Sequence, residues 1–485
     1  AGAAHRPPSF RRRWASRAMG VLQQGARRLL GPYRQLFARV PGAQGLLLSY
    51  LVVSVVFSLG IQLYGPFLRS LVECEPKPVP GSRFSGSAHC GDAGFVLSVA
   101  QAQEGSLVSM KLVVHALAGP FLGSFADRVG RRPMLLLSLS GYALAFLLLF
   151  LVSLQRAAHN HALVVLCFFI EGSTNAFDVV YLSMIADMTG VAERANAFAV
   201  YFFCSNTGQV VAQLLSVKIL RMCLESYVAV WLGLFLVLAA DVLFVWAAVH
   251  ETLAPEGRRE GKALLTAWGA AKAPLELVMS ARFLRLWLLS SAFLSFAAGL
   301  SGVFASFSIA VYGWRPGDLQ SYAWFGNLLK MASCALSPYV NRLGSPPAII
   351  LTQVVCACAA VLVQVLAPLS PAFLLGPRYA IDLLAFAHPA NAAFLSSQFG
   401  ADKQAKVNAV QHLCSNLSTS LSIALFSSPL MFRPGGPRTA AMWPFALSFL
   451  LELVGGTLKA CLVGWHLGQT RRETRDDAVD LHEIP

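Results

Sequence analysis

Glu171 and Asp178 stand seven residues apart, which puts two carboxylates on one face of a helix. Each lies inside an apolar run. At a membrane centre an ionised side chain costs roughly 3 kcal/mol on insertion scales, so each is a functional candidate. Two readings stay open for them: a proton carrier, or the neutraliser of a basic partner on a neighbouring helix. Arg378 and Asp382 are i,i+4 and able to pair with each other. That pair could simply lower its own insertion cost, or Arg378 could bind an anionic group that Asp382 positions and releases. Asp241 is a further acid within an apolar run. Lys111, His115, Lys330 and His388 are weaker candidates, and Glu452 with Lys459 reads as structural.

Other chemistries lack their residues. No Gly-x-x-x-x-Gly-Lys-Ser/Thr string cradles a nucleotide, and neither a nucleophile elbow nor a His-rich cluster occurs. A soluble enzyme is excluded by the composition, a membrane enzyme and an ATP-driven pump find no supporting motif, and no catalysis, cofactor or metal is expected. Most of the ten cysteines lie in apolar runs, where a thiol is a small hydrophobe. Cys356 and Cys358 are too close in sequence for a good metal site. Cys74 and Cys90 share a polar loop on the non-cytosolic side, where an oxidised bridge can persist; bridge and free thiols stay equally open.

The elements that must position these residues follow from composition. Of 485 residues 56% are hydrophobic and only 13% charged, against about 25% in soluble domains. A span needs about 20 apolar residues, and such stretches recur twelve times, near 44–70, 106–126, 133–154, 161–187, 197–220, 227–249, 284–309, 319–341, 347–368, 371–398, 407–429 and 441–467. The first carries a Gly65-Pro66 interruption. The net charge of +14 is not a nucleic-acid footprint. Residues 1–42 hold nine Arg and no acid, and other basic residues sit between spans, as the positive-inside rule requires. That acid-free start also fits an organellar transit segment. The reading is a basic cytoplasmic tail at 1–42, six helices over 43–250, a cytoplasmic linker at 251–283, six helices over 284–468 and a cytoplasmic tail at 469–485.

The two halves repeat. Gly123, Asp127, Arg128, Gly130, Arg131, Arg132 and Pro133 end the second span; Asn341, Arg342, Gly344 and Pro347 end the eighth at an offset of 214, with Asn341 in place of Asp127. Arg194, Asn196 and Ala197 recur as Lys406, Asn408 and Ala409 at an offset of 212. Parallel halves related about the membrane normal follow.

The Gly123-x-x-x-Asp127-Arg128-x-Gly130-Arg131-Arg132 string between the second and third spans resembles the signature of the major facilitator superfamily. The resemblance covers nearly all of the hydrophobic chain. It implies an all-α membrane protein of twelve helices in two pseudo-symmetric six-helix bundles, and transport by alternating access. It also implies that Asp127 meets the N-terminal end of the eleventh helix, whose dipole favours an anion, latching the cytoplasmic side. Ala186-Asp187-Met188-Thr189-Gly190-Val191-Ala192-Glu193-Arg194-Ala195 resembles the same segment of tetracycline-resistance-like and hippocampus-abundant-transcript-like transporters, and Gly313-Trp314 fits that group. In that branch Asp187, Glu193 and Arg194 join Arg131 in a cytoplasmic gate. His250-Glu251-Thr252-Leu253 resembles the family's acidic exit from the sixth helix.

The chain departs from drug–proton antiporters. Its fifth span reads Asn206-Thr207-Gly208-Gln209 without the Gly-Pro motif, and Phe168 stands where their fourth helix has an arginine four residues before glycine, here Gly172. Symport or facilitated diffusion is favoured over antiport. The expectation is a multi-pass monomer in a plasma or organellar membrane, both termini cytoplasmic. Its passenger is a small organic solute, proton coupling being one option, and lipid its solvent. The alternative is a non-transporting receptor or scaffold on the same bundle.

Overall fold

A computed structural model describes residues 42–71, 73–75, 87–89, 93–155, 161–222, 226–253, 267–300, 304–314, 316–399, 403–426 and 442–480. Cys90, and with it the Cys74–Cys90 pairing, lies outside them.

The described chain is helical apart from two three-residue strands, β1 (Glu73–Glu75) and β2 (Ser87–His89), paired in parallel. Helices α1 (Ala43–Leu71), α2 (Ala93–Val129), α3 (Arg131–Gln155), α4 (His161–Thr174), α5 (Phe177–Met188), α6 (Val191–Met222) and α7 (Tyr227–Ala248) form the first half. Helix α8 (Ala267–Ser280) follows within the linker. The second half holds α9 (Arg282–Ala298), α10 (Phe304–Tyr312), α11 (Pro316–Leu343), α12 (Pro346–Gln364), α13 (Pro371–Leu383), α14 (Ala387–Ser397), α15 (Gln404–Phe426) and α16 (Trp443–Asp480). Joining α4 to α5, α9 to α10 and α13 to α14 gives two sets of six rods.

Among the described residues, seven segments are long and apolar enough to cross a membrane alone, and α8 with α9, bent by 105°, makes an eighth candidate. The rods that miss this test, α6, α11, α13–α14 and α15, carry polar residues such as Asn206, Lys330, Arg378, Asp382, Gln411 and His412. Their hydropathy deficit marks them as lining something other than lipid.

Three sequence expectations change. Gly65-Pro66 does not interrupt α1, whose backbone stays helical throughout; neighbours can satisfy a proline-disturbed helix in a bundle. The second helix begins at Ala93, well before its apolar window. The linker is partly helical: α8 packs on both α2 and α15 and so straps the two halves.

Two rods break inside the bundle, and a serine from a neighbouring helix repairs each. Between α4 and α5, Ser138 Oγ donates to Thr174 O at 2.6 Å and accepts from Ala176 N at 3.0 Å. Between α13 and α14, where Leu384–Phe386 forms a 3₁₀ turn, Ser333 Oγ donates to Leu383 O at 2.6 Å and accepts from Phe386 N at 2.9 Å. Broken backbone at membrane depth persists only when its polar groups are paired in this way. These breaks lie beside Asp178 and Asp382, whose side chains they help to aim.

The first half packs around one continuous apolar core, running from Leu46 and Phe67 through Phe146 and Tyr181 to Trp231. The second half has three smaller clusters, around Trp287, Phe307 and Ile349. A cavity separates them.

Candidate functional site

Arg131 is fully buried at the turn between α2 and α3. Its guanidinium bonds Asp127 one turn back and donates from Nε to Asp187 Oδ2 on α5 at 3.1 Å. One cation therefore holds two acids from different helices, and the cluster tolerates burial because the charges are paired. Gly130 makes the turn possible. Its φ of +126° disfavours any residue with a Cβ, and a Cβ there would also run into the Glu251 carboxylate.

Glu251 sits at the exit of α7. Its carboxylate accepts from Arg131 N at 3.0 Å, Arg132 N at 3.1 Å, Thr252 N at 3.0 Å and Leu253 N at 2.9 Å. Two of these are otherwise orphan donors at the start of α3, where a negative charge also meets the positive end of the helix dipole. Thr252 Oγ1 donates to Asp187 Oδ2 at 3.3 Å, and Arg132 donates to Trp246 O. The string His250-Glu251-Thr252-Leu253 was the visible signal for this acid, but its role as a helix cap needed α3 in place.

At the same end the two halves touch. Asp127 Oδ2 accepts from Lys406 N, in the first turn of α15, at 3.3 Å, and Lys406 Nζ lies 3.9 Å away. Gly123 allows this approach: a Cβ there would stand 2.6 Å from Ala409 Cβ and 2.9 Å from Ala405 O. Asn341 Nδ2 donates to Asn196 Oδ1 at 3.2 Å. Among the described residues Arg194 bonds carbonyl and hydroxyl oxygens rather than a carboxylate. It caps the end of α5 through Ala186 O and Thr189 O at 3.2 and 3.4 Å, then crosses to Ser396 Oγ at 2.9 Å and Ser396 O at 3.4 Å. Basic groups on C-terminal carbonyls are favourable there. Glu193 is half-buried in the first turn of α6. Arg128 is half-buried, Arg342 is exposed against the Tyr339 ring, and Gly344 lacks the positive φ of its counterpart Gly130.

The acids inside the first half are all held. Glu171 is fully buried, bonded to Lys111 Nζ, and accepts from Tyr64 at 2.8 Å. Asp178 accepts from Tyr50 at 3.0 Å and from Tyr201, whose rings stack with centroids 4.1 Å apart. Asp241 accepts from Ser49 at 2.8 Å, and Ser49 in turn bonds Tyr181 at 2.6 Å. His115 bridges the halves: Asn175 and Asn416 each meet its Nδ1, at 3.2 and 3.1 Å.

In the second half Asp382 is buried, with 3% of its side chain exposed, and lies 3.4 Å from Lys330 and 3.7 Å from Arg378. Those two cations remain 28% and 27% exposed. One carboxylate shared by two cations leaves a net positive charge facing open space. That space is a cavity of about 730 Å³, lined mainly by the second half, with Leu182 and Phe202 from the first. Lys330, Arg378, Asp382, His388 and His412 all border it, as do Glu452 and Lys459 on α16. From sequence Glu452 with Lys459 read as structural; here both reach the cavity. Among the described residues no His/Cys/Asp/Glu group could hold a metal ion.

The chain belongs to the major facilitator superfamily, whose family model matches residues 50–423. It is similar to the class D tetracycline resistance protein of Salmonella ordonez, 31% identical over 30% of this chain and 31% of that one. It is likewise similar to the class B protein of Escherichia coli, 38% identical over 19% and 22%. Major facilitator superfamily domain-containing protein 10 of Bos taurus is 28% identical over 32% of this chain and 31% of that one. The aligned part thus spans about a third or less of these relatives, and the resemblance read from residues 186–195 stands with them. Over the full fold, the human organic anion transporter MFSD10 (TETRAN) superposes with a TM-score of 0.67 at 18% identity, covering 87% of this chain and 99% of that one. FucP, a transporter of the same superfamily in the outward conformation, gives 0.64 at 11% identity over 86% and 99%.

Proposed function

We propose that the chain moves a small organic solute bearing an anionic group across a membrane by alternating access, driven by a gradient. The observation that carries this reading is the Lys330–Asp382–Arg378 arrangement, a buried acid shared by two cavity-facing cations. A charge exposed to a cavity at membrane depth is costly unless a ligand or water compensates it, and the net sign here calls for an anion. The structural likeness to the human organic anion transporter MFSD10 supports the same class.

The paired contacts at the end carrying the Gly130 turn supply the gate. Asp127 with Lys406, Asn341 with Asn196, and Arg194 with Ser396 cross between halves at that end, whereas Arg378 and Lys330 lie deeper along their helices. Basic loops put this end in the cytosol, so the conformation is closed to the cytosol, with both tails on that side. The six-helix units of 43–250 and 284–468 rock about the cavity as a monomer surrounded by lipid, and catalysis has no part in it. Glu171 is neutralised by Lys111, whereas Asp178 and Asp241 are held by hydroxyls alone; Asp178, beside the break between α4 and α5, is the first to test for proton coupling.

In proteoliposomes holding the full chain, uptake of small labelled carboxylates should depend on Arg378. Uptake that Arg378→Gln leaves at the wild-type rate for every carboxylate tried would overturn the reading. A receptor or scaffold on this bundle would bind without any uptake.

A further inference from the structure

Lys459 is the charged group that the proposed transport cycle leaves unused. It lies within α16, borders the cavity, and has no ion pair among the described residues; its ammonium sits 4.7 Å from the centre of the Trp287 ring. Glu452, two turns earlier on the same helix, lies in the field of Lys459 and borders the same cavity, but it is beyond ion-pair distance, so the ammonium has no contacting anion among the described residues. An ammonium inside a bundle without an anion is expensive, and the ring face compensates only part of that.

Around Lys459 the cavity is polar. His388 borders it and lies in the field of both Lys330 and Lys459. Gln411 and Asn391 also line the wall, each with a carbonyl oxygen that has no partner among the described residues. A half-turn of the Gln411 amide offers its NH₂ to an anion instead. Buried polar groups left unpaired in this way ask for a ligand or water.

The two cationic poles share one cavity. Asp382 and His388 are six residues apart on the α13–α14 rod, a rise of about 9 Å, so the Arg378 and Lys330 that meet Asp382 are set apart from His388, the ring on which the Lys459 charge acts. We infer that Lys459 and His388 form a second anion subsite, and that the preferred substrate is an elongated organic dianion whose two acidic groups reach both poles. This rests on the organic-anion reading above and adds a second binding point to it.

The test uses the purified full chain, with isothermal titration calorimetry as the binding signal and α,ω-dicarboxylates from succinate to sebacate as probes. Each is compared with the monocarboxylate of equal length. One member of the series should bind at least tenfold more tightly than its monocarboxylate, Lys459→Gln should bring that ratio to about one, and Lys459→Arg should keep most of it. Retention of the ratio in Lys459→Gln, or no dicarboxylate preference in the wild type while monocarboxylates bind through Arg378, would overturn the second subsite alone. If neither series binds, and Arg378→Gln alters nothing, the organic-anion reading falls with it.

Discussion

Asn341, the repeat counterpart of Asp127, donates to Asn196 at 3.2 Å, two residues beyond Arg194, which is the counterpart of the Lys406 that meets Asp127. The two contacts differ in strength. The first joins neutral amides, worth about 0.5–1.5 kcal/mol. The second puts an ionised carboxylate at the start of α15, where the helix dipole adds to the bond. The first half's loop therefore holds the halves together more firmly than the second's. Asp127→Ala should slow uptake about tenfold, equivalent to about 1.4 kcal/mol, while binding of the same carboxylate persists. Asn341→Ala should slow it by roughly half that free energy. Uptake rate and equilibrium binding measured on the same preparation decide this, and wild-type turnover in Asp127→Ala removes it from the gate.

The loops also differ at their glycines. Gly130 has φ +126° and faces Glu251, whereas Gly344 has no positive φ, and a Cβ there meets nothing nearer than Ile349 Cγ1 at 3.7 Å. Forcing a Cβ into a left-handed backbone costs about 1–2 kcal/mol, and displacing the Glu251 carboxylate adds to it. Gly130→Ala should lower the thermal midpoint in detergent by several degrees. Gly344→Ala should stay within about 0.5 kcal/mol of wild type, as surface changes do. Equal shifts in the two variants would contradict the distinction.

Much of this was legible from residue spacing, and the remainder has a common cause. The 123–132 string and the offsets of 214 and 212 pointed to two halves and to the residues that meet between them, because like positions in a repeat occupy like places. What stayed hidden was which face of a polar helix looks inward. Glu171 and Asp178 share a face by spacing, yet one meets Lys111 and the other two tyrosines, all of them on other helices. Lys330 ranked low alone and gained its role only when α11 brought it to Asp382. Glu452 and Lys459 read as a structural pair across helices, and only the packed bundle puts both on the cavity wall. The linker helix α8 was masked by the polar composition around it.

Glu251 offers a test of the turn that carries Arg131. Its carboxylate gathers four backbone N–H groups, two from the start of α3 and two from its own segment. Replacing a helix-capping acid by alanine costs about 1 kcal/mol, and hydrogen bonds to a charged group are worth about 1.5–3 kcal/mol each, though they do not add simply. Glu251→Ala should destabilise the folded protein by about 2–4 kcal/mol and Glu251→Gln by about half as much, read from thermal unfolding of the purified protein. A loss below about 0.5 kcal/mol in the alanine variant would show that the cap matters little to the bundle.

The two acids that share one helical face should separate by their partners. Removing Glu171 leaves Lys111 buried and unpaired, a loss of about 3–5 kcal/mol, so Glu171→Gln should fold poorly. Replacing both members with neutral side chains removes the orphan charge, and Lys111→Met with Glu171→Gln should recover most of the stability and retain uptake. Asp178 has hydroxyl partners only, Tyr50 and Tyr201, and both can turn to donate elsewhere once the acid is gone. Asp178→Asn should therefore fold normally and still bind carboxylate. It should lose the part of uptake that an imposed pH gradient drives and a protonophore abolishes. If that gradient-driven part survives in Asp178→Asn but vanishes in the Lys111/Glu171 double variant, the roles of the two acids are reversed. If a pH gradient drives no uptake in the wild type, the transport is facilitative, and the tyrosine-bound acid serves to hold α1, α5 and α6 in register.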